Sequence, residues 1–247
     1  MVTVRTVRNR RDLRRFITFP EHLYKNDPNY VPPLHSDEFD ALGDKNAALE
    51  FCERELYLAF RDNKIVGRVA AIINHNANQR WKEEVVRFGW IDFIDDAEVV
   101  QALIQAVSDW GKARGCVKIK GPLGFSDMDK EGLMIEGFDY LAPFTVIYNY
   151  PYYATRLEEL GFVKDADWTQ KIVDIPVGEV PQMQFAPAGL LYGAGGGRHV
   201  GTHLQHSILL HVPVLIHENV QIHVHHVRGD SLARLRRDSG EIGRAHV

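Results

Sequence analysis

Two apolar runs on either side of a four-residue polar turn constrain the fold of this chain more than any other feature. Leu56-Tyr57-Leu58-Ala59-Phe60 and residues 65–73 are separated by Arg61-Asp62-Asn63-Lys64. Runs of this length around such a turn predict a β-hairpin. Residues 2–7 alternate enough to be a strand. Asn9 or Asp12 then caps a helix reaching Leu23, with Leu13, Phe16, Ile17 and Phe19 on its apolar side. Asp27-Pro28-Asn29-Tyr30-Val31-Pro32-Pro33 is not helix interior, because each proline removes a donor and restricts the residue before it.

Downstream, residues 85–93 read as a third strand after a polar loop around His75. The clearest helix spans 97–113: Val99, Val100, Leu103, Ile104, Val107 and Trp110 fall on one stripe. Asp95 and Glu98 have the spacing of a capping box, and Gly115 is placed to end the helix. A short strand covers 116–120, and a last helix, 152–160, stops at Gly161 before the chain extends again. This order predicts an α/β (α+β) fold, a mixed sheet with helices on both faces.

Composition narrows the function classes. With 29 Lys and Arg against 33 Asp and Glu, the net charge of −4 offers no basic surplus for a phosphate backbone, so nucleic acid is not an expected partner. No apolar run is long enough for a membrane span. Peripheral membrane contact stays open, although Asp12 and Glu21 dilute the cluster Arg10, Arg11, Arg14 and Arg15, which reads as a solvated helix face. The N-terminus has no signal-peptide pattern, and Cys52 and Cys116 read as reduced buried thiols; a cytoplasmic protein is expected.

The chain changes character near Met183. Lysine stops at Lys171, whereas nine of the 12 histidines follow it, and hydrophobic periodicity fails. Residues 241–247 are one translation of a common sequencing-adapter sequence. The expectation is therefore one domain over 1–182 and a disordered tail, 183–247, that is adapter-derived or out of frame. His223-Val224-His225-His226 resembles a chelating cluster, but without cysteines or helix-face spacing no metal is expected.

Several segments carry a family resemblance. Residues 59–67 resemble the second and third strands of the GNAT acyltransferases, and Leu157-Glu158-Glu159-Leu160-Gly161-Phe162 resembles their late helix end. Gly121-Pro122-Leu123-Gly124-Phe125-Ser126 and Tyr148-Asn149-Tyr150-Pro151-Tyr152-Tyr153 are similar to the bacterial branch that includes bacterial ceramide synthase. The resemblance implies a mostly antiparallel GNAT-like sheet and acyl-CoA-dependent N-acylation of an amine, with a sphingoid base as one candidate acceptor. It also implies acyl-CoA or acetyl-CoA as co-substrate. One departure is marked. Where such enzymes cradle the pyrophosphate with a glycine loop, this chain reads Phe93-Ile94-Asp95-Asp96-Ala97-Glu98, with three carboxylates and no glycine.

Amine acylation needs a base, donors for an oxyanion and an acid for the departing thiolate. The expected catalytic residues are His75 as base, with Tyr152 and Tyr153. Ile91, Phe93 and Asn149 are expected to hold the cofactor. Asp127, Asp129, Glu131, Tyr148 and Tyr150 are expected to face a small-molecule or lipid amine. The acidic loop 127–132 fails as a calcium site because its twelfth position is Phe138. The competing reading is a non-catalytic lobe that binds substrate or supports a catalytic half.

Overall fold

The computed structural model describes residues 1–142, 146–171 and 204–212. Four strands form an antiparallel run: β1 (Thr3–Thr6), β2 (Cys52–Arg61), β3 (Lys64–Asn74) and β4 (Val85–Phe93). The hairpin turns on Asp62 and Asn63, with φ of 48° and 61°. Positive φ at both central residues matches the right-handed twist of the strands, and Asx side chains tolerate it.

β5 (Lys118–Gly121) pairs parallel to β4, but only from Val85↔Lys118 to Arg87↔Lys120. Beyond Arg87 the regular pairing ends, although the Leu123 amide still donates to the Phe88 carbonyl at 2.8 Å. Gly89 follows: a Cβ there would lie 2.4 Å from the Leu123 carbonyl oxygen, so only glycine lets the loop after β5 pass. The sheet continues through β6 (Leu133–Glu136), β7 (Val163–Lys171) and β8 (Leu204–Val212), in the order β1-β2-β3-β4-β5-β8-β6 with β7 paired to β8.

β8 departs from the expected unstructured tail. Residues 207–212 are mostly apolar, a run able to extend a sheet edge, and β8 pairs antiparallel with β5, β6 and β7. The rest of residues 183–247, including the histidine cluster at 223–226, lies outside the described residues.

Helices cover both faces. On one, α1 (Arg10–Leu23) and α2 (His35–Leu42) bury Phe16, Ile17 and Leu42 against Leu58, Ala70 and Ile72. On the other, α4 (Ala97–Lys112) and α5 (Tyr152–Glu158) bury Val99, Leu103, Val107, Tyr153 and Leu157 against Val69, Ala71 and Phe88. The apolar stripe of α4 is the one its periodicity predicts. Its N-cap, however, is Asp96 rather than Asp95: the Asp96 carboxylate accepts from the Glu98 and Val99 amides. The loop expected around His75 is instead a helix, α3 (His75–Trp81), because the Asn74 side chain caps it by accepting the Ala77 amide.

Candidate functional site

The chemistry gathers where β4 is deformed. Arg68 of β3 faces Asp92 and Ala70 faces Gly89, so Trp90 and Ile91 share the single partner Val69. That is a β-bulge, and Trp90 takes φ 45° within it. The bulge aims Asp92 at Arg68, whose Nε donates to Asp92 at 2.7 Å. Both side chains are less than a tenth exposed.

A second device supplies the guanidinium with another acceptor. Pro20 lies inside α1 and has no N–H to give Phe16, four residues earlier. The Phe16 carbonyl receives Arg68 Nη1 at 2.9 Å instead. Tyr24 completes the cluster. Its hydroxyl donates to Asp92 at 2.8 Å and lies 2.6 Å from the Tyr153 hydroxyl. Burial, followed by the charge of Asp92, pushes both phenols well above their ordinary range, so both keep their protons.

Beside this cluster lies a cavity of about 280 Å³. Tyr24, Tyr30, Trp90 and Tyr148 give it aromatic walls, and Leu34, Val146 and Ile147 add apolar surface. Asp37, Glu38, Asp92 and Asp129 bring carboxylates; Arg68 and Lys130 are the cations. Since Arg68 and Asp92 neutralise each other, three carboxylates face one ammonium. Burial pushes the Lys130 ammonium pKa down, and Glu38 opposes that shift. Trp90 Nε1 donates to Glu38 at 2.8 Å, which fixes one carboxylate oxygen in the wall.

The expected site residues divide. Ile91, Tyr148 and Asp129 line the cavity. His75 does not reach it: it is exposed in the first turn of α3 and lies 2.9 Å from Glu53. Asp127 is exposed, and half-buried Glu131, whose carboxyl pKa is pushed up by burial, is not among the cavity's lining residues. Tyr150 packs on Tyr24 and Tyr152, with its hydroxyl 3.5 Å from the Leu23 carbonyl.

Asn149 holds protein rather than cofactor. Its side-chain amide accepts the Met134 N–H at 2.8 Å and donates to the Met134 carbonyl at 3.0 Å, replacing a strand partner for β6. Tyr152 and Tyr153 are likewise committed. The Phe93 amide donates to Tyr153 at 3.1 Å, and the Tyr152 hydroxyl donates to the Phe93 carbonyl at 2.5 Å. Neither phenol has a proton free for a leaving group.

These tyrosines also decide how coenzyme A fits. An extended pantetheine would bond to the free backbone edge where β4 leaves β5, and the Phe93 groups there are already taken. The start of α4, where a pyrophosphate would lie, holds Asp96 and Glu98, both bonded by Arg61 at 2.6–3.1 Å. At Phe93 and at the start of α4, then, the described residues offer a thioester of coenzyme A neither a free backbone partner nor an anion cradle. The Arg61 guanidinium holds the Asp96 carboxyl below its usual range. A depressed folded-state pKa gives stability that is present above the unfolded value of about 3.9 and lost as pH falls through the folded one. Arg61→Gln is therefore expected to narrow the gap in melting temperature between pH 7 and strongly acidic buffer. An unchanged gap would remove the pair from the acid limb.

Arg68, Asp92, Tyr24, Glu38 and Lys130 escape the sequence reading. The first two did leave a signal: each is a charge within a mostly apolar strand, and their signs are opposite.

The short parallel pairing of β4 with β5, the bulge in β4 and helices on both faces define a GNAT-like α/β fold. Compared with models of protein families, the chain matches none. Among curated proteins it is 37% identical over 172 residues to Protein YghO of Escherichia coli strain K12, covering 68% of this chain and 44% of that protein. It is 34% identical over 185 residues to bacterial ceramide synthase of Caulobacter vibrioides, covering 74% and 48%. The chain thus spans about half the length of these relatives. Solved structures similar to it include a tandem GNAT protein from the clavulanic acid biosynthesis pathway, at TM-score 0.49 and 10% identity, covering 69% of this chain and 47% of that one. Another is spermidine N-acetyltransferase from Vibrio cholerae in complex with CoA and spermine, at TM-score 0.45 and 15% identity, covering 85% and 94%. In sequence the chain is similar to bacterial ceramide synthase over about half of that protein's length.

Among the described residues no helix is long and apolar enough to cross a membrane, and no group of three His, Cys, Asp or Glu side chains is placed to hold a metal.

Proposed function

We propose that this chain is the acceptor-binding lobe of an acyl-CoA-dependent N-acyltransferase, with the thioester held outside the described residues. The observation that carries this reading is the cavity beside Asp92: an excess of carboxylates among aromatic walls suits an ammonium group. Its neighbourhood is apolar as well, since Leu34 and Met128, both lining residues, are 63% and 85% exposed. An aliphatic chain would cover them. A long-chain amine such as a sphingoid base fits these features, and the name of the Caulobacter relative supports that choice.

In this reading Glu38 takes the ammonium, held in place by Trp90. Tyr30 and Tyr148 flank the alkyl chain, while the Arg68–Asp92–Tyr24–Tyr153 cluster keeps the bulge rigid. Calorimetry with a long-chain primary amine and with a long-chain acyl-CoA tests the proposal. The amine is expected to bind, Glu38→Gln to weaken it about tenfold, the size of one charge-assisted contact, and the thioester not to bind. No amine binding, or amine binding indifferent to Glu38→Gln, would overturn the assignment.

A further inference from the structure

A second cavity, of about 520 Å³, lies at the other end of the α1–α2 pair, between the first turn of α1, the end of α2 and the start of β2. Arg8, Arg10, Lys45 and Arg54 line it against Asp40 and Asp44. It is therefore cationic in a chain of net charge −4. The amine site described above takes no part in it.

Arg54 is its fixed element, with a side chain only 15% exposed. The Nη2 group donates to Asp44 at 2.7 Å, while Nε is buried with no partner. One edge of a guanidinium presents Nε and one Nη as parallel donors, a fork that matches an anion with two oxygens. Asp44 fills only half of that fork. Its own side chain is fully exposed, so water screens the pair and an incoming anion can displace it. Around the fork, Arg10 is held over the Phe39 ring, 5.7 Å from its centroid, and Lys45 is exposed with no ion pair among the described residues. Arg8 is partly neutralised by Glu55 at 3.6 Å.

We propose that this cavity binds a phosphate group, which takes both donors of the Arg54 fork, displaces Asp44 and draws in Lys45 and Arg10. A phosphate monoester in solution and the headgroup of an acidic phospholipid share this chemistry.

The full chain can be titrated calorimetrically with glycerol phosphate, and sedimented with phosphatidylcholine vesicles with and without phosphatidic acid. Saturable binding is expected in at least one arm. Arg54→Gln should weaken it about tenfold and Lys45→Ala by a smaller factor. Asp44→Asn should tighten it, since the competing carboxylate is gone, a sign that a merely structural pair would not produce. Saturation by glycerol phosphate assigns a soluble ligand; binding confined to phosphatidate vesicles assigns a membrane surface. Should Arg54→Gln fail to fold, the exposed positions Lys45 and Asp44 still decide. Absence of binding in both arms, or binding that Lys45→Ala and Asp44→Asn leave unchanged, overturns the proposal.

Discussion

Arg68→Met is expected to lower the unfolding free energy by about 3–5 kcal/mol, read as a lower urea midpoint at unchanged slope. The magnitude follows from what the change leaves behind. Asp92 would keep its charge and its burial but lose the guanidinium 2.7 Å away. The Phe16 carbonyl, already without its helical N–H because of Pro20, would lose its donor too. Adding Asp92→Asn removes the uncompensated charge and should restore more than half of the loss. A single variant within about 1 kcal/mol of wild type would mean that solvent reaches this cluster and that the pair does not fix the bulge.

The second large effect is expected at Asn149. Asn149→Ala takes a side-chain partner from the Met134 amide and from the Met134 and Tyr150 carbonyls, at a cost of about 2–4 kcal/mol. Asn149→Asp should cost more, because a carboxylate then faces two carbonyl oxygens that the amide now serves. Urea unfolding of both variants gives the ranking. If the aspartate variant is the more stable, the amide orientation derived from these hydrogen bonds is wrong.

Where structure depends on neighbours along the chain, the residues announced it. The turn at Asp62-Asn63 is set by two residues that tolerate positive φ, and the α4 stripe is set by a spacing that has one solution on a helix. At the start of α4 the misplacement is small and local: the cap moves from Asp95 to Asp96. α2 and β6 gave weaker signals. α2 has eight residues and begins without a side-chain cap, whereas β6 is four residues served by an asparagine side chain. Neither is long enough for periodicity to register.

The site was less legible, because its parts come together only in three dimensions. From the sequence, Tyr152 and Tyr153 are expected to be catalytic. Their hydroxyls, however, serve the Phe93 backbone instead of a substrate, and that backbone lies past the last β4–β5 pair at Arg87. His75 drew notice as a titratable group in a polar stretch, yet the Asn74 cap places it at a helix start facing Glu53. The hairpin, the helices α1 and α4 and the mixed sheet they cover were legible in the order of residues, since these follow from periodicity and turn chemistry within short windows. That Arg68, Asp92, Tyr24 and Tyr153 form one buried cluster emerges only once the chain is folded. Pairings across 24 to 129 residues depend on strand register and on one bulge, and neither is encoded in the order of neighbouring residues.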